Sequence, residues 1–189
     1  PIYGVRLEEA DKDFRPASFD LIVSRAVLQY LAFDLAFGVM DQLLAPQGYM
    51  SHRIDLRDIG MFSRGGLHPL TFLTIPDRIY HWMVSDTPQS NRKRINDYRQ
   101  KMKDLGYSTK ILITRVLGRE EELLPHPEHL RLGEDYTEES LQLLEVIRSE
   151  LLRRFSDLLD EDLLVTGIFL VAQKPMQPYT STEVRSKGV

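Results

Sequence analysis

Two residues that could carry acid–base chemistry lie three positions apart in the segment Ser51–Asp58. They are His52 and Asp55. An imidazole can take the proton of a hydroxyl group near neutral pH, and a carboxylate can hold the imidazole ring in a fixed orientation. The pair is therefore our candidate for catalytic residues. The alternative is that His52, which lies in a strand-like segment, is only a packed polar side chain.

A second candidate group follows a short apolar run. Phe19–Val23 is too short for a helix and fits a buried strand of a parallel sheet. Ser24, Arg25 and Ala26 come directly after it. Ligands of open α/β sheets lie beyond the carboxyl ends of the strands, so these three residues are candidates for ligand binding. The alternative is an ordinary turn between a strand and a helix.

The sequence predicts strands that alternate with helices. Strands are predicted over Tyr3–Leu7, Phe19–Ser24, Tyr49–Leu56, Tyr107–Leu117 and Leu163–Ala172. Helices are predicted over Asp34–Leu44, from Pro76-Asp77 towards Met83, over Ser90–Leu105 and over Glu138–Leu159. Such alternation indicates an α/β fold with helices on the faces of the sheet.

Part of this pattern resembles a known family. The stretch Ser18–Ser24, the helix after it and the turn Pro46–Gly48 are similar to the fourth strand, the following helix and the fifth strand of class I S-adenosylmethionine-dependent methyltransferases. The resemblance reaches from Tyr3 to Lys174. It implies a Rossmann-like sheet with helices on both faces, whose last strand runs antiparallel between its two neighbours.

The glycine-rich loop that this family uses for its cofactor does not precede Phe19. We therefore expect the C-terminal two-thirds of such a domain, truncated at its N-terminal side. The expected boundaries are a partial methyltransferase domain over 1–175, with a helical insertion over 118–162, and a disordered polar tail over 176–189. An unpaired strand edge and an uncovered sheet face predict a homodimer or a larger species, and we expect this chain alone to bind the cofactor weakly or not at all.

The resemblance also implies roles for single residues. Glu9 takes the place of an aspartate that accepts a hydrogen bond from the adenine amino group, and Ala10 that of the residue whose backbone N–H meets the ring. Glutamate is a departure from the usual aspartate, and the alternative is a solvated acidic loop. Ser24, Arg25 and Ala26 would contact the methionine portion of S-adenosylmethionine.

Two further stretches, Ser51–Asp58 and Asn91–Tyr98, resemble a type 11-like subgroup that is linked to polysaccharide and sugar modification. The implied activity is methyl transfer from S-adenosylmethionine to a small-molecule or glycan acceptor at a hydroxyl, with His52 as base and Asp55 orienting its ring. Methyl transfer itself needs mainly alignment of the reacting atoms. The alternative is a non-catalytic remnant of such a domain that acts in oligomerisation or partner binding.

Composition narrows the remaining functions. The chain of 189 residues has no cysteine and a net charge of −4, and no apolar run is long enough to span a membrane. We therefore expect a cytoplasmic protein without a metal, a nucleic-acid partner or a membrane partner. The basic residues of the segment Ser90–Leu105 accompany an apolar stripe, so we predict a helix whose charges face water rather than a nucleic-acid surface.

Overall fold

A computed structural model of the chain describes residues 4–58, 60–84 and 90–176. The strands are β1 (Phe19–Arg25), β2 (Leu44–Asp55), β3 (Ser108–Val116) and β4 (Val165–Gln173). The α-helices are α1 (Phe33–Leu43), α2 (Asp77–Met83), α3 (Ile95–Asp104), α4 (Glu138–Arg148), α5 (Arg153–Ser156) and α6 (Asp160–Leu164). Short 3₁₀ turns cover Leu7–Lys12, Leu28–Tyr30, Ser63–Gly65 and Thr71–Leu73.

The four strands form one sheet in the order β1-β2-β4-β3. β1 runs parallel to β2, and β4 runs antiparallel to both of its neighbours. The last strand of the chain is therefore inserted between two earlier strands, as the family resemblance implied. This confirms the predicted α/β fold.

The Pro46–Gly48 turn redirects the chain between the end of α1 and the regular part of β2. α1 ends at Leu43 and β2 begins at once, but its pairing with β1 is irregular until Tyr49. Gln47 has a positive φ of 65°, and a Cβ on Gly48 would lie only 2.8 Å from the carbonyl oxygen of Ala45. Glycine is required there because a side chain would collide with the backbone of the turn.

The helices pack on one face of the sheet. One cluster of buried side chains joins α1, α3 and α4 to the strands through Phe37, Met40, Tyr98, Met102, Leu144, Met50, Ile54, Ile111, Ile113, Ile168 and Leu170. The opposite face carries Leu21 and Val23, which are 56% and 64% exposed. The resemblance implied helices on both faces, but in the described residues the helices cover one face. The connections β1 to β2 and β2 to β3 step in the same direction across the sheet, and right-handed connections of this kind place their helices on the same side.

The strand predicted over Tyr3–Leu7 is not formed in its described part. Tyr3 lies outside the described residues, and Leu7 begins the 3₁₀ turn Leu7–Lys12. Ala10 of this turn packs against Val39 and Leu43 of α1. The apolar side chains of the segment are thus used against a helix instead of in a strand.

The helix predicted over Glu138–Leu159 is too long, because α4 ends at Arg148. The Arg148 guanidinium donates a hydrogen bond of 2.6 Å to the carbonyl of Ser156, and the N–H of Leu152 donates to the carbonyl of Leu73 at 3.3 Å. These contacts bend the chain into the short helices α5 and α6. Of the tail predicted over 176–189, all but the first residue lies outside the described residues.

Two basic residues of the segment Ser90–Leu105 are buried, contrary to the expectation that its charges face water. Arg92 and Arg94 are 6% and 1% exposed. The Arg92 guanidinium lies 3.5 Å from the centre of the Tyr80 ring and bonds to Asp77. α3 begins only after both arginines, so helical periodicity does not determine where they lie.

Arg94 connects three parts of the fold. Its guanidinium donates to the backbone carbonyls of Leu56 and Val165, each at 2.6 Å, of Asp162 at 2.9 Å and of Leu163 at 3.3 Å. Burial lowers the pKa of Arg94 to about 10, so the group remains charged at neutral pH. The end of β2, the helix α6 and the start of β4 are therefore held by one side chain.

The stretch Asn91–Tyr98, which resembled the sugar-associated subgroup, makes other contacts that serve the fold. The Asn91 side-chain amide donates to the carbonyls of Leu28 and Leu31 at 3.0 and 3.2 Å. The Asp97 carboxylate accepts the N–H of Arg94 at 2.8 Å, which caps the N-terminus of α3.

Replacement of Arg94 by methionine should strongly destabilise the fold. Arg94→Met removes the guanidinium donors from four backbone carbonyls in the interior, and we expect the free energy of unfolding to fall by about 3–5 kcal/mol. Urea denaturation followed by circular dichroism measures this loss. Arg78→Met, at an exposed position of α2, is the matched control and should change stability by less than about 0.5 kcal/mol. Equal effects of the two substitutions would show that Arg94 does not hold the fold together.

Candidate functional site at the carboxyl ends of the parallel strands

β1 and β2 end side by side. Arg25 is opposite Arg53 in the register of the two strands, and the N–H of Ala26 donates to the carbonyl of Arg53 at 2.8 Å. Ala26 has a positive φ of 53°, an uncommon conformation for a residue with a side chain. The chain therefore leaves the sheet in a sharp turn that exposes Arg25 and Ala26 at the strand ends.

A cavity of about 190 Å³ opens at this edge, and we call it the arginine cleft. Its walls include Arg25, Arg53, Asp55, Arg57, Arg115 and Gly167. A larger cavity of about 490 Å³ adjoins it and shares three of these residues, Asp55, Arg57 and Arg115. The charged ends of β2 and β3 thus line a continuous depression in the surface.

Two carboxylates hold three of the four arginines of the cleft. Asp55 accepts the guanidinium of Arg57 on both oxygens, at 3.0 Å from Nε and 2.6 Å from Nη2. This contact raises the pKa of Arg57. Glu122 accepts hydrogen bonds from Arg53 and, at 3.2 Å, from Nη2 of Arg115. The guanidinium groups of Arg53, Arg57 and Arg115 therefore have fixed positions at the sheet edge.

A bulge in β3 brings Arg115 to the cleft. The pairing of β3 with β4 is irregular on both sides of Arg115. Gly167 of β4 lies opposite Asp55 on one side and Arg115 on the other. A Cβ on Gly167 would lie 2.9 Å from Oγ1 of Thr114 and 3.2 Å from Cβ of Arg115. Only glycine lets the bulged strand approach so closely.

The side chain of His52 is buried on the covered face of the sheet. It is 1% exposed, and its Nδ1 forms a hydrogen bond of 2.8 Å with Oγ of Ser24. The other nitrogen, Nε2, is buried without a hydrogen-bond partner among the described residues. Burial lowers the pKa of His52 to about 4, so the ring is neutral at pH 7.

The expectation that Asp55 orients the His52 ring is wrong. Successive side chains of a strand point to opposite faces, so residues three positions apart lie on different sides of the sheet. Asp55 faces the arginine cleft, whereas His52 is buried against Ser24. A general base must come within hydrogen-bonding distance of its acceptor, and an acceptor would have to enter the covered face of the sheet to reach the ring of His52.

Glu9 and Ala10 do not join the other cofactor candidates. Glu9 forms an exposed ion pair of 3.1 Å with Lys12. Ala10 lines an apolar cavity of about 370 Å³ that runs along β1 from Phe19 to Val23. The structure brings Ser24, Arg25 and Ala26 to the strand ends, and these three residues are not among those that line this cavity.

Sequence reasoning missed the cleft residues Arg53, Arg115, Glu122 and Gly167. The one signal for them was Gly167, because an isolated glycine inside an apolar strand indicates a bulge or a close approach of two backbones. In the part of the chain that the structure describes, no group of three or more His, Cys, Asp or Glu is placed to hold a metal. The helices of that part are all too short or too polar to cross a membrane.

No protein-family model and no curated protein matches this sequence. Three solved structures are similar to the chain at a low level. A SAM-dependent methyltransferase from Archaeoglobus fulgidus has 10% identity and a TM-score of 0.46 over 91% of this chain and 66% of that one. The CurJ carbon methyltransferase has 15% identity and a TM-score of 0.41 over 90% of this chain and 34% of that one.

The third is phosphoethanolamine N-methyltransferase 2 from Haemonchus contortus, solved with S-adenosyl-L-methionine. It has 16% identity and a TM-score of 0.42 over 86% of this chain and 34% of that one. The chain therefore spans about two-thirds of the first of these proteins and a third of the other two. Likenesses this low carry no information on what the chain binds or does.

The buried His52 ring should make stability depend on pH. Its pKa is about 4 in the folded chain and has its ordinary value of 6.5 in the unfolded chain. The folded chain favours the neutral ring. The contribution of His52 to the free energy of unfolding is therefore complete above pH 6.5 and is lost as the pH falls towards 4. The full difference is worth roughly 3 kcal/mol.

His52→Asn removes the titrating group and keeps a polar atom near Ser24. The free energy of unfolding of the two proteins, measured by urea denaturation between pH 7 and pH 4, should therefore converge as the pH falls. His81→Asn, at an exposed histidine of α2, should follow the unsubstituted chain over the whole range. Parallel curves for His52→Asn and the unsubstituted chain would show that His52 is not buried as a neutral group.

Proposed function

We propose that this chain takes part in S-adenosylmethionine-dependent methyl transfer to a hydroxyl group of a small molecule or glycan. The observation that carries the proposal is the turn Ser24-Arg25-Ala26, which ends β1 beside β2 and opens into the arginine cleft. Ligands of open α/β sheets bind at this edge. The inserted antiparallel strand β4 agrees with the family that the sequence resembles.

The residues of this turn fit one end of the cofactor. Arg25 is exposed and has no ion pair with any described residue, so its guanidinium is free for the carboxylate of the methionine portion. Ala26, which follows Arg25 in the turn, is also exposed. When bound, the cofactor supplies an activated methyl group. The Ser24 hydroxyl is engaged by His52, which gives His52 a positioning role for this turn.

The residues beside this turn are the ones that would hold the methyl acceptor. Asp55 and Arg57 form a rigid bidentate pair at the end of β2, next to Arg25 in the wall of the cleft. A fixed pair of this kind can hold an acceptor in one orientation, which is the main requirement for methyl transfer. Asp55 thus acts through Arg57 in this proposal, and His52 acts through Ser24.

Binding of S-adenosylhomocysteine tests the cofactor side. In a titration followed by amide chemical shifts, we expect the largest changes at Ser24, Arg25 and Ala26. Arg25→Gln should weaken binding by about tenfold, because it removes a charge-assisted hydrogen bond. Arg78→Gln, at an exposed arginine of α2, should have no effect. Changes confined to other parts of the chain, or an unaltered affinity of Arg25→Gln, would contradict the proposal.

A second candidate function is oligomerisation by a non-catalytic domain, and the edge strand β1 favours it. In the described residues β1 pairs only with β2, and its side chains Leu21 and Val23 are exposed. In an antiparallel pair of β1 strands centred on Ile22, Leu21 of one copy can lie opposite Val23 of the other on the exposed face of the sheet. The partner in this case is a second copy of the chain.

A charge on the edge strand should weaken this association. Lysine on an edge strand opposes pairing with another strand, so Leu21→Lys should raise the dissociation constant of the dimer by at least about tenfold. Sedimentation velocity over a range of concentrations measures the change. Leu35→Lys is the matched control, because Leu35 has nearly the same exposure, 52%, on the outer side of α1. A stable monomer at high concentration would exclude the second candidate.

A further inference from the structure

We infer that the arginine cleft binds a carboxylate or phosphate group of the acceptor, so that the acceptor is an anionic hydroxyl compound. The inference rests on the proposed function, because it names the substrate class of the same site. Anion binding at the cleft can be measured without any methyl transfer.

The first observation is the local charge. The chain has a net charge of −4, yet three arginines, Arg53, Arg57 and Arg115, meet around Gly167. A fourth, Arg25, stands at the edge of the cleft. Among the described residues, two carboxylates contact these groups, one from Asp55 and one from Glu122. A positive excess in a concave site raises the local concentration of anions.

The second observation is that the arginines keep free donors. A guanidinium has five N–H donors in a planar fork that matches carboxylate and phosphate oxygens. Arg57 gives two donor atoms to Asp55, and Arg53 gives one to Glu122. Arg115 gives one to Glu122 and one to the carbonyl of Glu120. All three side chains are partly exposed, so their remaining donors are accessible to a ligand.

The third observation is that the two carboxylates fix these arginines rather than cover them. The Asp55–Arg57 contact is bidentate, and Glu122 bridges Arg53 and Arg115, which come from different strands. Side chains that are already held in place lose little conformational freedom when a ligand binds. Three guanidinium groups from two strands and the segment after β2 therefore form a preorganised site.

The fourth observation is the space. The cleft of about 190 Å³ corresponds to roughly six water molecules, which is enough for one carboxylate or phosphate group with its nearest waters. The adjoining cavity of about 490 Å³ can hold the rest of a small acceptor. Its walls include the polar residues Ser63, Arg64 and Thr166. A hydroxyl-bearing compound with one anionic group fits both parts.

The test is a titration of the chain with three sugars that differ in one substituent. Glucuronate carries a carboxylate, glucose 6-phosphate carries a phosphate, and glucose is neutral. We expect one or both anions to bind, with shifts of the Nε–H signals of Arg53, Arg57 and Arg115, and glucose to bind at least tenfold more weakly. The two anionic arms distinguish a carboxylate acceptor from a phosphate acceptor. Equal behaviour of all three compounds would overturn the inference.

Two substitutions with opposite expected effects sharpen the test. Arg115→Gln removes one guanidinium and should weaken anion binding by at least tenfold. Glu122→Gln removes the carboxylate that competes for Arg53 and Arg115, and it should strengthen anion binding severalfold. Arg78→Gln is the control at an exposed position outside the cleft. If the arginines and carboxylates only stabilise the fold, both cleft substitutions will lower the melting temperature and neither will change anion affinity, which would also overturn the inference.

The failure of this inference can be told apart from the failure of the proposed function. Anion binding at the cleft without any response to S-adenosylhomocysteine would support the anion site and contradict the proposed cofactor contacts of Ser24, Arg25 and Ala26. A response of Ser24, Arg25 and Ala26 to S-adenosylhomocysteine without anion binding would overturn the anion site and leave methyl transfer in place.

Discussion

The buried guanidinium of Arg94 is the interaction on which the rest of the structure depends. The ends of helices and strands leave carbonyl groups without partners, and burying them unpaired is costly. Arg94 donates to the carbonyls of Leu56, Asp162, Leu163 and Val165, which lie where β2 ends, where α6 ends and where β4 begins. These are the points that decide whether β4 can enter the sheet between β2 and β3. Asp55 and Gly167 lie one and two residues from two of these carbonyls, so the floor of the arginine cleft depends on the same side chain.

The alternation of side chains along the strands then separates two chemical environments. Residues 50, 52 and 54 of β2 are buried under the helices, and residues 53 and 55 lie on the opposite face with the arginines. The covered face excludes water and keeps His52 neutral, since burial lowers the pKa of its imidazole to about 4. The opposite face is open and carries partly exposed charged groups that keep free hydrogen-bond donors. Two neighbouring residues of one strand can therefore have unrelated roles, one in packing and one in binding.

Most elements could be predicted from local pattern, and the errors have a common cause. The apolar run Phe19–Val23 and the helix that ends near Pro46 were predicted within one or two residues, because period and turn residues decide them. The prediction failed where distant backbone groups decide the structure. α4 stops at Arg148 because Arg148 and Leu152 bond to carbonyls that periodicity does not register. Arg92 and Arg94 were assigned to a solvated helix face, but they precede the helix and bond inward.

The site was harder to predict than the fold, because its members meet only through the register of the sheet. Arg53 and Arg115 are 62 positions apart, and a bulge beside Gly167 determines that both reach Glu122. The sequence drew attention to His52, whose ionisation near neutral pH is the usual sign of catalysis. That sign is misleading for a buried side chain, since an imidazole can avoid the cost of a buried charge by losing its proton. An arginine does not lose its proton at any physiological pH. Its charge must be met by hydrogen bonds in the interior, as at Arg94, or by partly exposed carboxylates and a ligand, as in the cleft.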